Sequence, residues 1–271
     1  PAWNTLHRAV CRQFIQKALG PRLPAWVRVG IAYDCSSGHW TGDTVVSGVL
    51  PSGHFGRVKA LVEDDRLRPL KVQMTGTHSD EYNYWKNWPE SWALVQFLRH
   101  ADDGRYSAAL DRYLRAVARG MKYRDAYRKY FHRDAETFIE KFTDWVQNVD
   151  GKAHNRRRED LATVATLTGY VARGRALGMR FADANAFLDA AADGKIRIDP
   201  ETHKHLWLPD SLLQTALRRA VSCGEWSLTR GLRPRLTLVT PYGVEYIGAF
   251  KLRRGRHPDV QVRSRAARKR R

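Results

Sequence analysis

Cysteine is scarce in this sequence, and long apolar runs are missing from it. Three cysteines, Cys11, Cys35 and Cys223, are spread over 271 residues, and so sparse and odd a set argues against a disulfide framework. No uninterrupted apolar run approaches the ~20 residues that a membrane-spanning helix needs. The first residues also lack the charged segment, apolar stretch and cleavage site of a signal peptide. We therefore expect neither of these elements in the chain, and the compartment stays open.

Acidic residues are few as well. The chain has 28 Asp and Glu against 47 Lys and Arg, a formal net charge of +19. Hydrophobic residues still make up 43% of the sequence and include nine Trp, which is enough for a packed core and excludes a wholly disordered chain. The length predicts one or two domains.

The excess of positive charge is concentrated at the C-terminal end. Residues 251–271 contain ten Lys or Arg and one Asp. Such a run predicts a solvated basic tail, which we place at residues 253–271. Two interpretations stay open: the tail keeps the protein soluble, or it contacts a phosphate-rich partner.

Apolar spacing predicts a helical first domain over residues 1–149. Trp3, Leu6, Val10 and Phe14 recur at intervals of three and four, which is typical of one buried helical face. From Pro89 onward, similar patterns separated by short breaks predict successive antiparallel helices. The fold class expected from these patterns is mostly α.

A second, smaller unit is predicted after a polar linker. Residues 150–160 (DGKAHNRRRED) are polar or charged apart from Ala153 and indicate the linker. Residues 161–252 combine Ala-rich helical segments with two alternating stretches, RLTLV and VEYIGAFKL, joined by TPYG. Alternation around a turn predicts a β-hairpin, so we expect a small α+β unit here.

Two stretches resemble the gluzincin-like, peptidase MA-type metallopeptidase domain of planctomycete proteins. Residues 5–43, which contain LPAW, are similar to that family's zinc helix and the Trp-x-x-Glu-Gly-x-Ala-x-Tyr segment that follows it. Residues 90–146, which contain SWALV, are similar to its later helices. The resemblance covers about half of the chain and implies a zincin-type fold. The family's leading strands would precede the first helix, so we expect either that the chain lacks that sheet or that it is a piece of a longer protein.

The resemblance also identifies the positions where a catalytic zinc would be bound. The motif HRAVC places His7 at the first ligand, Arg8 at the general base and Cys11 at the second ligand, and WVRVG places Val29 at the third ligand. A thiolate can bind zinc, but a valine side chain has no lone pair to donate. Arg8 cannot accept a proton at neutral pH. We therefore expect a degenerate, noncatalytic relative with no cofactor, in which His7 and Cys11 are relic positions.

The alternative that stays open is a zinc metallopeptidase with altered ligands. It would use His7 and Cys11 together with a carboxylate such as Asp34 or Glu90. Our first hypothesis is a basic binding or structural protein that engages nucleic acid or another polyanion. One form of this hypothesis places the protein within a ribonucleoprotein.

The candidate phosphate-binding residues form three clusters that are rich in arginine. Arginine favours bidentate phosphate contact, and none of the clusters has the form of a sequence-reading motif, so contact to the backbone is expected. The residues are Arg156, Arg157, Arg158, Arg253, Arg254, Arg256, Arg263, Arg265, Arg268, Lys269, Arg270 and Arg271. The oligomeric state is not indicated by any of these patterns.

Overall fold

The fold of the chain was obtained as a computed structural model. It describes residues 2–20, 23–69, 72–73, 88–131, 135–231, 233–253 and 255–267. In these ranges ten α-helices precede or flank a four-stranded antiparallel sheet near the C-terminal end. The mostly α, α+β fold class expected from the sequence is confirmed.

The chain divides into two compact units. Unit 1 comprises residues 1–38 and 47–155, and unit 2 comprises residues 39–46 and 156–271. Seven helices of unit 1 are α1 (Ala2–Leu19), α2 (Ala25–Ser37), α3 (Ser52–Glu63), α4 (Trp88–His100), α5 (Ser107–Ala118), α6 (Tyr123–Tyr130) and α7 (Ala135–Asn148). A 3-10 turn, Ala101–Gly104, separates α4 from α5.

The core of unit 1 forms where α2 packs against α4. Trp26 on α2 and Trp92 on α4 are fully buried, and burial of large aromatic side chains dominates the stability of such cores. The two backbones approach closely at Gly30, where an added Cβ would lie 2.4 Å from the carbonyl oxygen of Ser91. Helix α1 packs on the same α2, and Leu6, Val10 and Phe14 on α1 are exposed, so the predicted buried face of α1 is wrong at these residues.

Unit 2 is built from three helices, a short β-ribbon and the sheet. Its elements are β1 (His39–Trp40), β2 (Val45–Val46), α8 (Gly151–Ala176, in this unit from Arg156), α9 (Ala184–Ala192), α10 (Asp210–Cys223), β3 (Glu225–Leu228), β4 (Leu236–Val239), β5 (Val244–Lys251) and β6 (Asp259–Ala266). The sheet order is β3-β4-β5-β6, and each neighbouring pair is antiparallel.

One face of this sheet packs against the helices. Leu236, Leu238 and Tyr246 are buried on that face, and residues directly opposite in the register share a face of the sheet. Gly248 brings β5 close to α8, because an added Cβ there would lie 1.9 Å from the hydroxyl of Thr168. The alternate residues of the strands therefore point away from the core.

Two further sequence expectations differ from the structure. Residues 151–160, expected as a polar linker, are helical, because Asp150 caps α8 by accepting hydrogen bonds from the amides of Lys152 and Ala153 at 2.9 and 3.1 Å. The division between the two units, between residues 155 and 156, falls within this segment. The basic tail is not a solvated arm over Asp259–Ala266, which pairs along its length with β5. Val260 and Val262 are partly buried on β6. The sequence therefore does contain apolar residues at every second position here, although charged residues surround them. The predicted β4–β5 hairpin is confirmed, and the sheet has two further strands.

Candidate nucleic-acid interface

Positive charge is unequally shared between the two units. Unit 2 holds 24 Lys and Arg against 12 Asp and Glu, a net charge of +12, whereas unit 1 holds 23 against 16, a net charge of +7. Unit 2 is also the shorter of the two. A concentrated positive field attracts polyanions and raises their rate of association.

A first groove of about 580 Å³ lies where the β5 end meets the segment before β4. Four cationic side chains line it, Arg233, Arg235, Lys251 and Arg253, and one acidic side chain, Asp259. All four cationic residues are exposed. The groove is therefore a solvent-accessible site with a net positive charge.

The sheet geometry explains why these side chains meet. Leu236 and Gly248 are opposite in the register and point into the core, so Arg235, one position before Leu236, points outward. Lys251 lies opposite Asp259 on β6. Side chains alternate between the faces of a strand, and this alternation places the charged residues of β5 and β6 on the outer face.

A second groove of about 340 Å³ adjoins the first through Pro234, which lines both. Its cationic residues are Arg175, Arg180 and Arg230, and Phe181 adds an aromatic ring. Arg230 is positioned by its Nε, which donates a hydrogen bond to the carbonyl of Ala182 at 3.0 Å. No acidic residue is among the described residues that line this groove.

The predicted basic residues have different positions. Arg253 lines the first groove, and Arg256 is exposed in the turn between β5 and β6. Arg263 is exposed on the outer face of β6, opposite Ile247. Arg265 pairs with Glu245 across the strands, so part of its charge is already compensated.

The remaining predicted residues divide into two sets. Arg156, Arg157 and Arg158 lie on α8, and the structure does not place them in either groove. Five others lie outside the described residues, namely Arg254, Arg268, Lys269, Arg270 and Arg271.

Six groove cations were missed by the sequence analysis. Arg175 and Arg180 are far from the other groove residues in sequence, and only the fold brings them near. Lys251 begins the basic run 251–271 and lies two residues before Arg253. Arg230, Arg233 and Arg235 do share a signal, since RGLRPR (residues 230–235) concentrates three arginines around Gly and Pro. A basic loop of that composition could have been identified as a candidate site.

A third cavity in unit 2, of about 460 Å³, has balanced charge. Arg156 and Arg219 line it together with Glu159 and the buried carboxylate of Asp160, and Arg219 lies 3.7 Å from Glu159. The Cys223 thiol and the Tyr242 hydroxyl donate to Asp160 at 3.2 and 2.6 Å.

These contacts explain the titration of the third cavity's residues. Burial and then the hydrogen bond to Asp160 raise the pKa of Cys223 to about 12, and the same two causes raise the pKa of Tyr242. Cys223 is thus a buried, protonated thiol, and this cavity, with its balanced charge, offers little to a polyanion.

In unit 1 the residues that the family resemblance would assign to a zinc site have other surroundings. The Arg8 guanidinium lies 4.8 Å from the centre of the Tyr33 ring and donates to the Thr5 hydroxyl at 3.0 Å. Val29 is buried on α2. The Cys11 thiol packs against the hydrophobic core of unit 1, and burial raises its pKa.

The two carboxylates that could have completed a zinc site are also engaged. The Asp34 carboxylate is fully buried and accepts hydrogen bonds from the Gly48 amide at 2.9 Å and from Gln96 at 2.8 Å. Glu90 accepts two hydrogen bonds from Arg68, one from its amide and one from its guanidinium. Across the described ranges, no three His, Cys, Asp or Glu side chains are grouped so that they could hold a metal ion.

Charged groups around Asp34 set its titration. Burial acts to raise the pKa of Asp34, but the neighbouring His100, the charge of Arg99 and the Gly48 amide outweigh it and lower the pKa. The His100 Nε2 lies 3.9 Å and the Arg99 guanidinium 3.5 Å from the carboxylate. Asp34 is therefore a buried anion held by its own donors.

Comparison of the chain with protein-family models, with curated proteins and with solved structures finds no match. Among the helices that the structure describes, none combines the length and apolar character needed to cross a membrane. The two adjoining grooves of unit 2 are therefore the best-defined candidate site on physical grounds alone.

Proposed function

We propose that this protein binds nucleic acid through the phosphate backbone, and that the two grooves of unit 2 are the contact surface. The observation that carries the proposal is that seven cationic side chains and one acidic side chain line two adjoining grooves. Six of the seven are arginines, whose planar guanidinium contacts phosphate oxygens in a bidentate manner.

The form of the surface supports backbone contact rather than base reading. The first groove is formed by the outer face and end of a sheet and by the segment before β4. Among the described residues that line the grooves, none belongs to a helix N-terminus of the kind that enters a major groove. We therefore expect affinity that depends on salt and little on sequence.

We further propose that unit 1 is a noncatalytic relative of the peptidase family it resembles. Arg8 and Val29 occupy the positions of a base and a ligand, and the Arg8 side chain is already engaged with Tyr33 and Thr5. Asp34 and Glu90 are held by hydrogen bonds from other groups. No contact in the described part of unit 1 favours the metallopeptidase alternative.

The experiment that tests the groove uses two triple variants of the full chain. One is Arg233→Gln, Arg235→Gln and Arg253→Gln; the other, on the exposed face of α5 and just beyond it, is Arg112→Gln, Arg115→Gln and Arg119→Gln. Both remove three positive charges. Binding to a fluorescent duplex DNA is measured by anisotropy at several salt concentrations.

The groove variant should bind more weakly, and its log-log salt slope should fall by about two to three, since each phosphate contact contributes about 0.9. The α5 variant should keep the slope of the native protein. Equal losses in both variants would show that net charge, and not the groove, governs binding.

A further inference from the structure

The second groove of unit 2 has an apolar floor. Four apolar residues line it, namely Val171, Phe181, Leu228 and Pro234. Val171 and Pro234 are buried, whereas Phe181 and Leu228 are partly buried. Val171 belongs to a hydrophobic core cluster of unit 2, and Phe181 and Leu228 pack against that cluster. The groove is therefore a place where the edge of this core is open to solvent.

Phe181 is held in place from two sides. Its ring meets the ring of Phe187 on α9 edge to face, with the two centroids 5.3 Å apart. On α8, Gly174 lets the ring approach the helix, because an added Cβ at this glycine would lie 2.8 Å from Phe181 Cζ. A side chain that is fixed before binding loses little conformational entropy when a ligand packs on it. Phe181 therefore offers a ready apolar surface within the groove.

Arginine forms the rim of this groove. Arg180 and Arg230 are exposed and Arg175 is partly buried, and the described lining residues include no acidic one. Arg230 donates from its Nε to the carbonyl of Ala182, which orients the guanidinium, and this group has further N–H donors. Charge complementarity therefore favours a ligand that carries anionic groups next to an apolar part.

A nucleotide with an unpaired base has these two parts. Its phosphate is anionic, and the flat faces of its base pack well on aromatic side chains. A duplex supplies phosphates to the rim but no base to the floor, because its bases are paired and stacked. The groove volume of about 340 Å³ is near the lower end of the range of about 300–1,000 Å³ found for small-ligand pockets. A volume of this size suits a single nucleotide unit.

We propose that the second groove takes up one unpaired base of a single-stranded nucleic acid on its apolar floor, while Arg175, Arg180 and Arg230 contact the neighbouring phosphates. Because Pro234 lines both grooves, the strand continues into the first groove, where further cations are available. This inference rests on the proposed function and adds the class of nucleic acid to it. Stacking on an aromatic ring tolerates any base, so the preference is for single strands and not for a sequence.

The experiment compares a labelled oligothymidine with a duplex of equal length on the native full chain. Anisotropy titrations are made at about 0.15 M salt, where screening weakens exposed charge contacts. The single strand should bind about five-fold or more tightly than the duplex, since a stacked base contributes a factor of at least about that size. Thymidine monophosphate should compete only weakly, because it lacks the phosphates that reach the first groove.

Two leucine variants form a matched pair. Phe181→Leu and Phe187→Leu each replace one ring of the same contact, but Phe187 is fully buried and does not line the groove. Phe181→Leu should weaken single-strand binding about five-fold and leave duplex binding unchanged. Phe181→Tyr, which restores a ring, and Phe187→Leu should both bind as the native protein does.

Failure of this inference is distinguishable from failure of the proposed function. Equal affinity for single strand and duplex, equal losses for both in Phe181→Leu, or competition by thymidine monophosphate as strong as that by the oligonucleotide would overturn the inference. Selective loss of binding in Arg233→Gln, Arg235→Gln and Arg253→Gln would in that case still support the proposed function. Equal losses in that triple variant and in the α5 variant would overturn the proposed function and this inference with it.

Discussion

The two units place their charged groups differently. In unit 1, groups at the positions where the family resemblance would put catalytic chemistry are engaged within the unit: Arg8 against an aromatic ring, Asp34 and Glu90 in hydrogen bonds. In unit 2, cationic side chains line open grooves with a single acid among them. The contrast supports our proposal that the nucleic-acid contact surface belongs to unit 2.

Among the described residues each unit has more than one buried charged side chain, and two of these, Asp34 and Arg173, are compensated in different ways. The Asp34 carboxylate in unit 1 accepts short hydrogen bonds from the Gly48 amide and from Gln96. Arg99 and His100 lie 3.5 and 3.9 Å from it and help to lower its pKa. In unit 2, the fully buried Arg173 meets the Asp43 carboxylate at 2.7 and 2.8 Å and also donates to the Leu206 carbonyl. A buried arginine with a bidentate partner depends on that partner more strongly than a carboxylate with several donors.

The largest effect is therefore expected from Arg173→Met. The variant leaves the Asp43 carboxylate buried without its bidentate partner, and such a loss costs about 3–5 kcal/mol. Urea unfolding of the full chain, followed with probes in each unit, should show unit 2 destabilised and unit 1 unchanged. The double variant Arg173→Met, Asp43→Leu should recover part of the loss. A change below ~1 kcal/mol in the single variant would show that this pair does not hold unit 2 together.

A smaller effect is expected from Asp34→Asn in unit 1. The amide keeps one acceptor but loses the charge that Gly48, Gln96 and Arg99 contact, at a cost of about 2 kcal/mol at neutral pH. Because the folded pKa of Asp34 is lowered from its ordinary 3.8, its stabilisation is present above that value and is lost as pH falls through the folded pKa.

Unfolding of the native protein and of Asp34→Asn at pH 7 and at pH 3 or below checks this prediction. The difference between the two proteins should shrink in acid. A difference that stays constant with pH would mean that the lost contacts are not electrostatic.

The smallest effect is expected from removal of metal. The purified chain should contain no stoichiometric zinc, and a chelator should leave the melting midpoint of unit 1 unchanged, because the ligand set that the resemblance implies has Val29 at its third position. Elemental analysis with His7→Ala as the comparison is the measurement. A zinc content of about one ion per chain in the native protein, lost in His7→Ala, would support the metallopeptidase alternative. It would also contradict the contrast drawn between the two units.

Periodicity predicted the helical part of the fold, because successive helices after Pro89 bury aliphatic and aromatic residues at intervals of three and four. It also predicted the β4–β5 hairpin. The start of α8 was missed because an N-cap aspartate, Asp150, supports a helix whose first residues are all polar or small. Strand β6 was missed because charge conceals the alternation of Val260 and Val262.

The candidate site was only partly predictable. Arg253 was identified from the basic C-terminal run, but Arg175 and Arg180 join it through folding, far from it in sequence. Sequence reasoning found the excess of arginine and its chemistry. It could not find the grooves, because a groove requires strand register and the position of the segment around Pro234.

The most direct test of the contrast between the units maps where a nucleic acid touches the full chain. A short photoreactive oligonucleotide is crosslinked to the protein at moderate salt, and the modified peptides are identified by mass spectrometry. We expect crosslinks in residues 230–235 and 251–253 of unit 2. These crosslinks should be lost in the triple variant Arg233→Gln, Arg235→Gln and Arg253→Gln. Crosslinks that concentrate in unit 1 and persist in that variant would contradict this expectation.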